Sequence, residues 1–168
     1  VSVVNTDNSI FVRGHIIVRR DSGIKSARDM KGKVVAFADK ASVSGYLFAL
    51  SYLRKNGVRD ISSFFSEIFF TGSYDASVYA VLDGRADVGC VNDTVLREMI
   101  RNDPTIDREI QIIATSPEIP GITLCLRRDI PSELRKSMYD ILTGMPRNTR
   151  EKKILDRFGA AGFMKASM

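Results

Sequence analysis

A switch of period that repeats along the chain constrains its fold more than any other feature. Short apolar runs bounded by turn residues alternate with longer segments whose apolar residues recur every three or four positions. The runs read as strands over 11–19, 33–38, 66–70, 86–91 and 110–114. Between them, helical spacing is read from Ser26, over 44–56, over 75–82 and over 93–101, with Gly32, Gly57 and Gly84 standing where three of these segments stop. Ser26 with Asp29 three places on is a typical helix opening, because side-chain oxygens there satisfy amides that have no carbonyl partner within the helix. Strands alternating with helices of this length imply right-handed βαβ units. The expected class is therefore α/β, with a mostly parallel sheet flanked by helices. After 115 the rhythm changes: a further strand is expected over 121–127, a helix over 132–142 behind Pro131, and a terminal helix over 148–158 with Glu151 three places after Asn148.

Composition bounds what such a chain can do. With 168 residues, 44% hydrophobic and 27% charged, it can bury a core and is read as a single region over 1–168. No stretch approaches the about 18 uninterrupted apolar residues of a membrane helix. The sequence opens on Val1 with no secretory leader, as a processed protein or a piece of a longer one would. The net charge of +5 is dispersed. Arg13, Arg19, Arg20, Lys31, Lys33, Arg54, Lys55, Arg127 and Arg128 lie mostly among acidic residues, and only 147–153 gathers base, as the solvated face of a helix would. This pattern argues against a nucleic-acid partner and suits a small anionic ligand. Cys90 and Cys125 each sit inside an apolar run and read as small buried hydrophobes; a disulfide between them would require export and a geometry that sequence does not fix. His15 has no Cys or carboxylate at ligand spacing, and no nucleophile–base pair stands out. No metal, no cofactor and no enzymatic activity are expected.

In an open α/β sheet, ligands gather at the carboxyl ends of the strands, where turns meet helix starts. Three such turns are legible, at 39–45, 71–75 and 91–94. The first reads DKASVSG and holds more hydroxyls than one cap needs. It offers the Ser42 and Ser44 hydroxyls, the free amides of a helix start, and Gly45, which lets a ligand approach the main chain. Free amides and the positive end of a helix dipole together suit a tetrahedral oxyanion. A plain N-cap, worth about 1 kcal/mol, accounts for one of the serines equally well. In the second turn Tyr74 stands beside a helix start, either as a hydrogen-bond partner for a ligand oxygen or as a half-buried packing residue. In the third, Asp93 is most simply a helix cap, yet Asn92 and Asp93 also project where a polar ligand group would need partners. An Asp93 carboxylate beside an anion would favour a protonated or amine-bearing ligand.

The segments DSGI at 21–24, DMKGKVVAF at 29–37, DKASVSGYL at 39–47, GSYDASV at 72–78, ADVGCVND at 86–93 and SPEIP at 116–120 together resemble the periplasmic phosphate/phosphite/phosphonate-binding protein family of ABC importers, in the same order from about Ile10 to Phe163. The resemblance implies a type II periplasmic-binding fold of two α/β lobes joined by crossing strands that closes on its ligand like a hinged clamp. It implies that Ser42, Val43, Ser44 and Gly45 grip the phosphonate oxygens, with Tyr74, Asn92 and Asp93 completing the wall. The family commonly has Thr where this chain has Val43, and His where it has Tyr74. The acidic residue that aminophosphonate binders place near Pro120 and Gly121 is missing, which points to phosphate, phosphite, a small phosphonate or another anion. Residues 20–115 would form the core of the second lobe, with 1–19 and 116–168 supplying hinge strands and a return to the first lobe. The first-lobe segment that precedes Ile10 in the family has no counterpart here, so one wall of the clamp would bind weakly.

Four functions compete. The first is the solute-binding component of an ABC importer, periplasmic or extracytoplasmic, anchored or free, delivering an oxyanion to a membrane permease. The second is the ligand-sensing domain of a membrane signalling protein such as a histidine kinase, which uses the same fold. The third is the effector domain of a transcription regulator, which would need a helix-turn-helix that this chain does not contain. An enzyme is the fourth and the weakest, since Asp83, Asp87 and Asp93 are each accounted for by turns or caps.

Overall fold

The computed structural model describes residues 1–166. In chain order its elements are β1 (Ser2–Asn5), β2 (Phe11–Val12) and β3 (Gly14–Arg19), a 3-10 turn at Ala27–Met30, β4 (Val34–Phe37), and a π-helical turn at Val43–Leu47 that runs into α1 (Phe48–Lys55). There follow α2 (Ile61–Phe64), β5 (Glu67–Phe70), α3 (Tyr74–Leu82), β6 (Val88–Asn92), α4 (Asp93–Asn102), α5 (Thr105–Glu109) and β7 (Ile110–Thr115). The chain closes with β8 (Ile119–Pro120), α6 (Ser132–Thr143), α7 (Thr149–Phe158) and β9 (Ala160–Met164). Two compact units result, Val12–Ile119 and the remainder, and the chain passes between them twice, at β2 and β8, which pair with each other.

Val12–Ile119 is built on a five-stranded sheet in the order β5-β4-β6-β3-β7. β4 runs parallel to β5 and to β6, while β3 runs antiparallel to both β6 and β7. Four strands therefore share one direction and β3 alone is reversed. The expectation of a mostly parallel sheet holds for strand direction, and the pairing is mixed. Strand alternation splits the core in two. Ile16, Val18, Val35, Phe37, Val88 and Cys90 meet Met30, Ala49, Leu53 and Phe65 on one face. Ile17, Ala36 and Val91 meet Val78, Val81, Leu96, Met99 and Ile106 on the other. Both faces are thus covered by helices.

Local chemistry accounts for the helix ends. Asp29 accepts from the Ser26 amide at 2.9 Å, as a capping box requires, although only a 3-10 turn follows because Gly32 turns left-handed (φ +72) two residues past its end. Ser73 and Asn148 cap α3 and α7 through their side chains. The strand expected over 11–19 breaks between β2 and β3 at Arg13. The helices α2 and α5, each a turn or so long, had no periodicity to reveal them.

In the other unit, β1 and β9 pair antiparallel around a small core of Val3, Leu155 and Ala160. The strand expected over 121–127 does not form. The backbone bonds of this stretch are scattered, Gly121 N–H to Ile10 O at 2.8 Å, Val3 N–H to Ile122 O at 2.9 Å and Leu124 N–H to Val1 O at 2.8 Å, and a strand needs a continuous ladder to persist. Ile122 is left 61% exposed, and α6 buries none of its residues. β1 and β9 were invisible in the sequence because neither alternates over enough residues to be distinguished from loop.

Candidate functional site

The carboxyl ends of β5, β4 and β6 lie side by side in the sheet, so the three turns that follow them are neighbours. The turn after β4 is held by its own residues. Asp39 accepts from the Ala41 amide at 2.6 Å, and the Ser42 amide bonds to the Asp39 carbonyl at 3.1 Å. Ser42 then caps the helix: its Oγ accepts from the Gly45 amide at 2.8 Å, and its carbonyl accepts from both the Tyr46 amide at 3.0 Å and the Leu47 amide at 3.1 Å. That double acceptance makes the first turn π-helical rather than α-helical. The helix expected over 44–56 accordingly begins as π-helix at Val43 and ends as α1 at Lys55. Val43 and Ser44, ahead of these bonds, contribute the amides that have no acceptor within the helix.

Tyr74, the first residue of α3, meets this turn from β5. Its hydroxyl lies 2.5 Å from Ser42 Oγ and 2.7 Å from Ser44 Oγ, so three hydroxyls share one cluster. Ser44 is buried, while Val43 points outward. Gly45 makes the contact sterically feasible: a Cβ there would stand 2.7 Å from Tyr74 Cε1 and 2.9 Å from Ser42 Oγ. The space over Gly45, read from sequence as room for a ligand, is occupied by the Tyr74 ring. The cation in the turn, Lys40, lies over the Phe70 ring at 5.2 Å from its centroid.

Asn92 and Asp93 stand at the end of β6. Asn92 caps α4, its Oδ1 accepting from the Val95 amide at 2.8 Å. Asp93 is buried with both oxygens engaged. Oδ1 accepts from the Arg13 amide at 2.9 Å and Oδ2 pairs with Arg97 at 3.1 Å. Its carboxylate thus ties α4 to the segment entering β3. Burial holds the nearby His15 imidazole below its ordinary pKa against the opposing pull of Asp93, with Arg97 and Arg13 adding to the fall. Cys90 lies buried on β6 and Cys125 lies exposed in the other unit, and both are free thiols.

Three residues with no role assigned from sequence also belong here. Gly14 on β3 lies directly against the serine turn, where a Cβ would fall 2.1 Å from the Ser44 carbonyl oxygen. The buried Ser116 holds Gly14 in place: its Oγ accepts from the Gly14 amide at 2.9 Å, and its own amide donates to the Gly14 carbonyl at 2.8 Å. Thr94, in the third turn, has a buried hydroxyl oxygen without a partner among the described residues. An isolated glycine within a strand pattern is a signal of close backbone approach, and Gly14 carried it.

A mixed α/β sheet with hydroxyl-rich helix starts gathered at its carboxyl edge defines a periplasmic-binding-protein-like ligand-binding fold. Over residues 1–168 the sequence matches the family described as ABC transporter, phosphonate, periplasmic substrate-binding protein, and the chain belongs to that family. It is 29% identical over 157 residues to the phosphonates-binding periplasmic protein of Escherichia coli (strain K12), a match covering 90% of this chain and 46% of that protein. It is 25% identical over 164 residues to the probable ABC transporter phosphite binding protein PhnD1 of Prochlorococcus marinus (strain MIT 9301), covering 94% of this chain and 55% of that one. Among solved structures, a binding protein component of an ABC phosphonate transporter from Pseudomonas aeruginosa superposes with a TM-score of 0.84 at 26% identity, covering 96% of this chain and 54% of that chain. These relatives are substrate-binding transport proteins rather than enzymes. The chain spans about half the length of the curated relatives it matches.

Proposed function

We propose that this chain is part of the substrate-binding component of an ABC importer and contributes one wall of a site for phosphate, phosphite or small phosphonate oxyanions. The observation that carries this reading is that the Ser42 and Ser44 hydroxyls stand at one helix start, where the first amides, those of Val43 and Ser44, have no acceptor within the helix. A tetrahedral anion needs several donors converging on it, and a helix start supplies them along with the positive end of its dipole. In this reading Ser42, Val43 and Ser44 hold the anion, Gly45 admits the Tyr74 ring beside them instead of contacting the anion itself, and Tyr74, Asn92 and Asp93 complete the wall. Asp93, already paired with Arg97 and the Arg13 amide, has little capacity left to recruit an amine. Residues 20–115 would form the core of one lobe of the clamp, with 1–19 and 116–168 as crossing strands and the return to the other. The partner would be a membrane permease and the location periplasmic or extracytoplasmic. Family membership and the two relatives named for phosphonate and phosphite binding support these assignments.

An amide-resolved NMR titration of the chain with phosphate, phosphite and methylphosphonate tests the reading. Shifts centred on 42–45 that weaken about tenfold in Ser44→Ala are expected, one hydrogen bond to a charged group being worth about 1.5–3 kcal/mol. Undiminished binding by that variant would count decisively against it.

A further inference from the structure

An oxyanion site at the serine turn, the reading on which this inference rests, leaves a charge unbalanced. The turns at 39–45, 71–75 and 91–94 hold three carboxylates, Asp39, Asp75 and Asp93, and one cation, Lys40. Asp93 is met by Arg97 in a 3.1 Å ion pair, whereas Asp39 accepts from a backbone amide, that of Ala41. The donors at the helix start are hydroxyls and amides. They orient an anion without cancelling its charge, and the carboxylates of the turns repel it.

Lys40 is placed to offset that repulsion. It lies two residues before Ser42, and its Nζ stands 5.2 Å from the centroid of the Phe70 ring. Phe70 ends β5 and leads into the second turn. It is the partner of Phe37 in the β4–β5 ladder, and beyond it the Thr71 and Gly72 amides donate to the Phe37 and Ala38 carbonyls at 2.9 and 3.0 Å. Lys40 therefore reaches from the first turn to the root of the second, the same two turns that the Ser42, Ser44 and Tyr74 hydroxyls join. The ring beneath it packs against Phe37 and Tyr46, with centroids 5.9 and 5.7 Å away, yet stays 38% exposed. An exposed ring holds an ammonium more weakly than a hydrogen bond to a full negative charge does.

We propose that Lys40 is the specificity-determining cation of this site: it leaves the Phe70 ring for the bound anion and makes the site favour doubly over singly charged oxyanions. Its flexible four-carbon stem lets the ammonium move while the turn, fixed through Asp39 and Ser42, stays in place. The ammonium acts as a point charge, so it selects for charge, whereas the directional hydroxyls and amides select for the tetrahedral shape.

The test compares wild type, Ser44→Ala, Lys40→Gln and Lys40→Arg in NMR titrations that follow the Val43 methyl groups and the Tyr74 and Phe70 rings, with unchanged methyl spectra away from the turn as the check on folding. The ligands are methylphosphonate and its monomethyl ester at about pH 9, where the first carries two charges and the second one. Taking the ratio of variant to wild type for each ligand cancels the difference in their size. Lys40→Gln is expected to weaken methylphosphonate binding about tenfold and that of the monoester about threefold or less. Lys40→Arg keeps the charge and should stay within about threefold of wild type for both. In wild type the Phe70 ring signals should shift as methylphosphonate binds, because the ammonium leaves the ring. If Ser44→Ala weakens binding while Lys40→Gln weakens both ligands equally or neither, or if the Phe70 signals stay still at saturation, the role of Lys40 is overturned and the oxyanion reading stands. If Ser44→Ala binds like wild type, or neither ligand moves the Val43 and Tyr74 signals, the oxyanion reading fails and the inference fails with it.

Discussion

Gly14→Ala should separate the serine turn from the sheet. The added Cβ would stand 2.1 Å from the Ser44 carbonyl oxygen, 2.9 Å from its carbon and 3.0 Å from Phe48 Cδ1. The first distance is more than an ångström short of ordinary contact, and the obstructing atoms are backbone. Neither side can give way easily. Gly14 is bonded through both its amide and its carbonyl to Ser116 and sits opposite Asn92 in the β3–β6 ladder, while Ser44 lies within the capped turn. Overpacking costs about 1–3 kcal/mol, and a backbone obstruction places this substitution at the upper end. With a urea dependence of about 2 kcal/mol per molar, a loss of about 3 kcal/mol lowers the unfolding midpoint by about 1.5 M. Gly45→Ala is the control. Its Cβ meets the Tyr74 ring and the Ser42 hydroxyl, side-chain atoms that can rotate aside, so its midpoint should fall by much less. Urea unfolding followed by circular dichroism reads both. A Gly14→Ala midpoint within about 0.3 M of wild type, or one above that of Gly45→Ala, would show that the contact between β3 and the turn is not held as described.

Two further outcomes are expected. In the folded chain one of the two thiols should react with a thiol-specific reagent, because Cys125 is exposed whereas Cys90 is fully buried and its pKa is driven far up by desolvation; rapid reaction of both would refute the packing of β6. Bonds from the hydroxyls and amides of Ser62 and Ser63 hold the exposed Asp60 carboxyl down to about 2. A depressed carboxyl stabilises the fold above its ordinary value and loses that contribution as pH falls toward the folded one. The urea-midpoint gap between wild type and Asp60→Asn should therefore be widest near neutrality and narrow at acid pH, and a gap independent of pH would refute it.

What the sequence determined by itself was local. Strand runs such as Val34–Phe37 and Val88–Asn92, and helices such as Tyr74–Leu82 and Thr149–Phe158, follow from periodicity and from caps lying within three or four residues of the amides they satisfy. The hydroxyl-rich turn after β4 was legible for the same reason, and its position at a strand's carboxyl end was enough to name the residues of a candidate site. Only the tertiary structure could decide the rest. The reversal of β3 depends on pairing with partners seventy or more residues away in sequence, and no window of sequence contains both partners. The failure of 121–127 to become a strand reflects the lack of a full ladder partner rather than any defect of its apolar alternation. Asp93, legible as a cap, proved to be an anchor because Arg13 comes to it across 80 positions. The Tyr74 hydroxyl meets Ser42 and Ser44 across separations of 32 and 30. Propensity and capping act over a few residues and are written in the chain, whereas the convergence of donors on one point is set by which strands become neighbours, and that is decided when the apolar faces of the whole sheet are buried together.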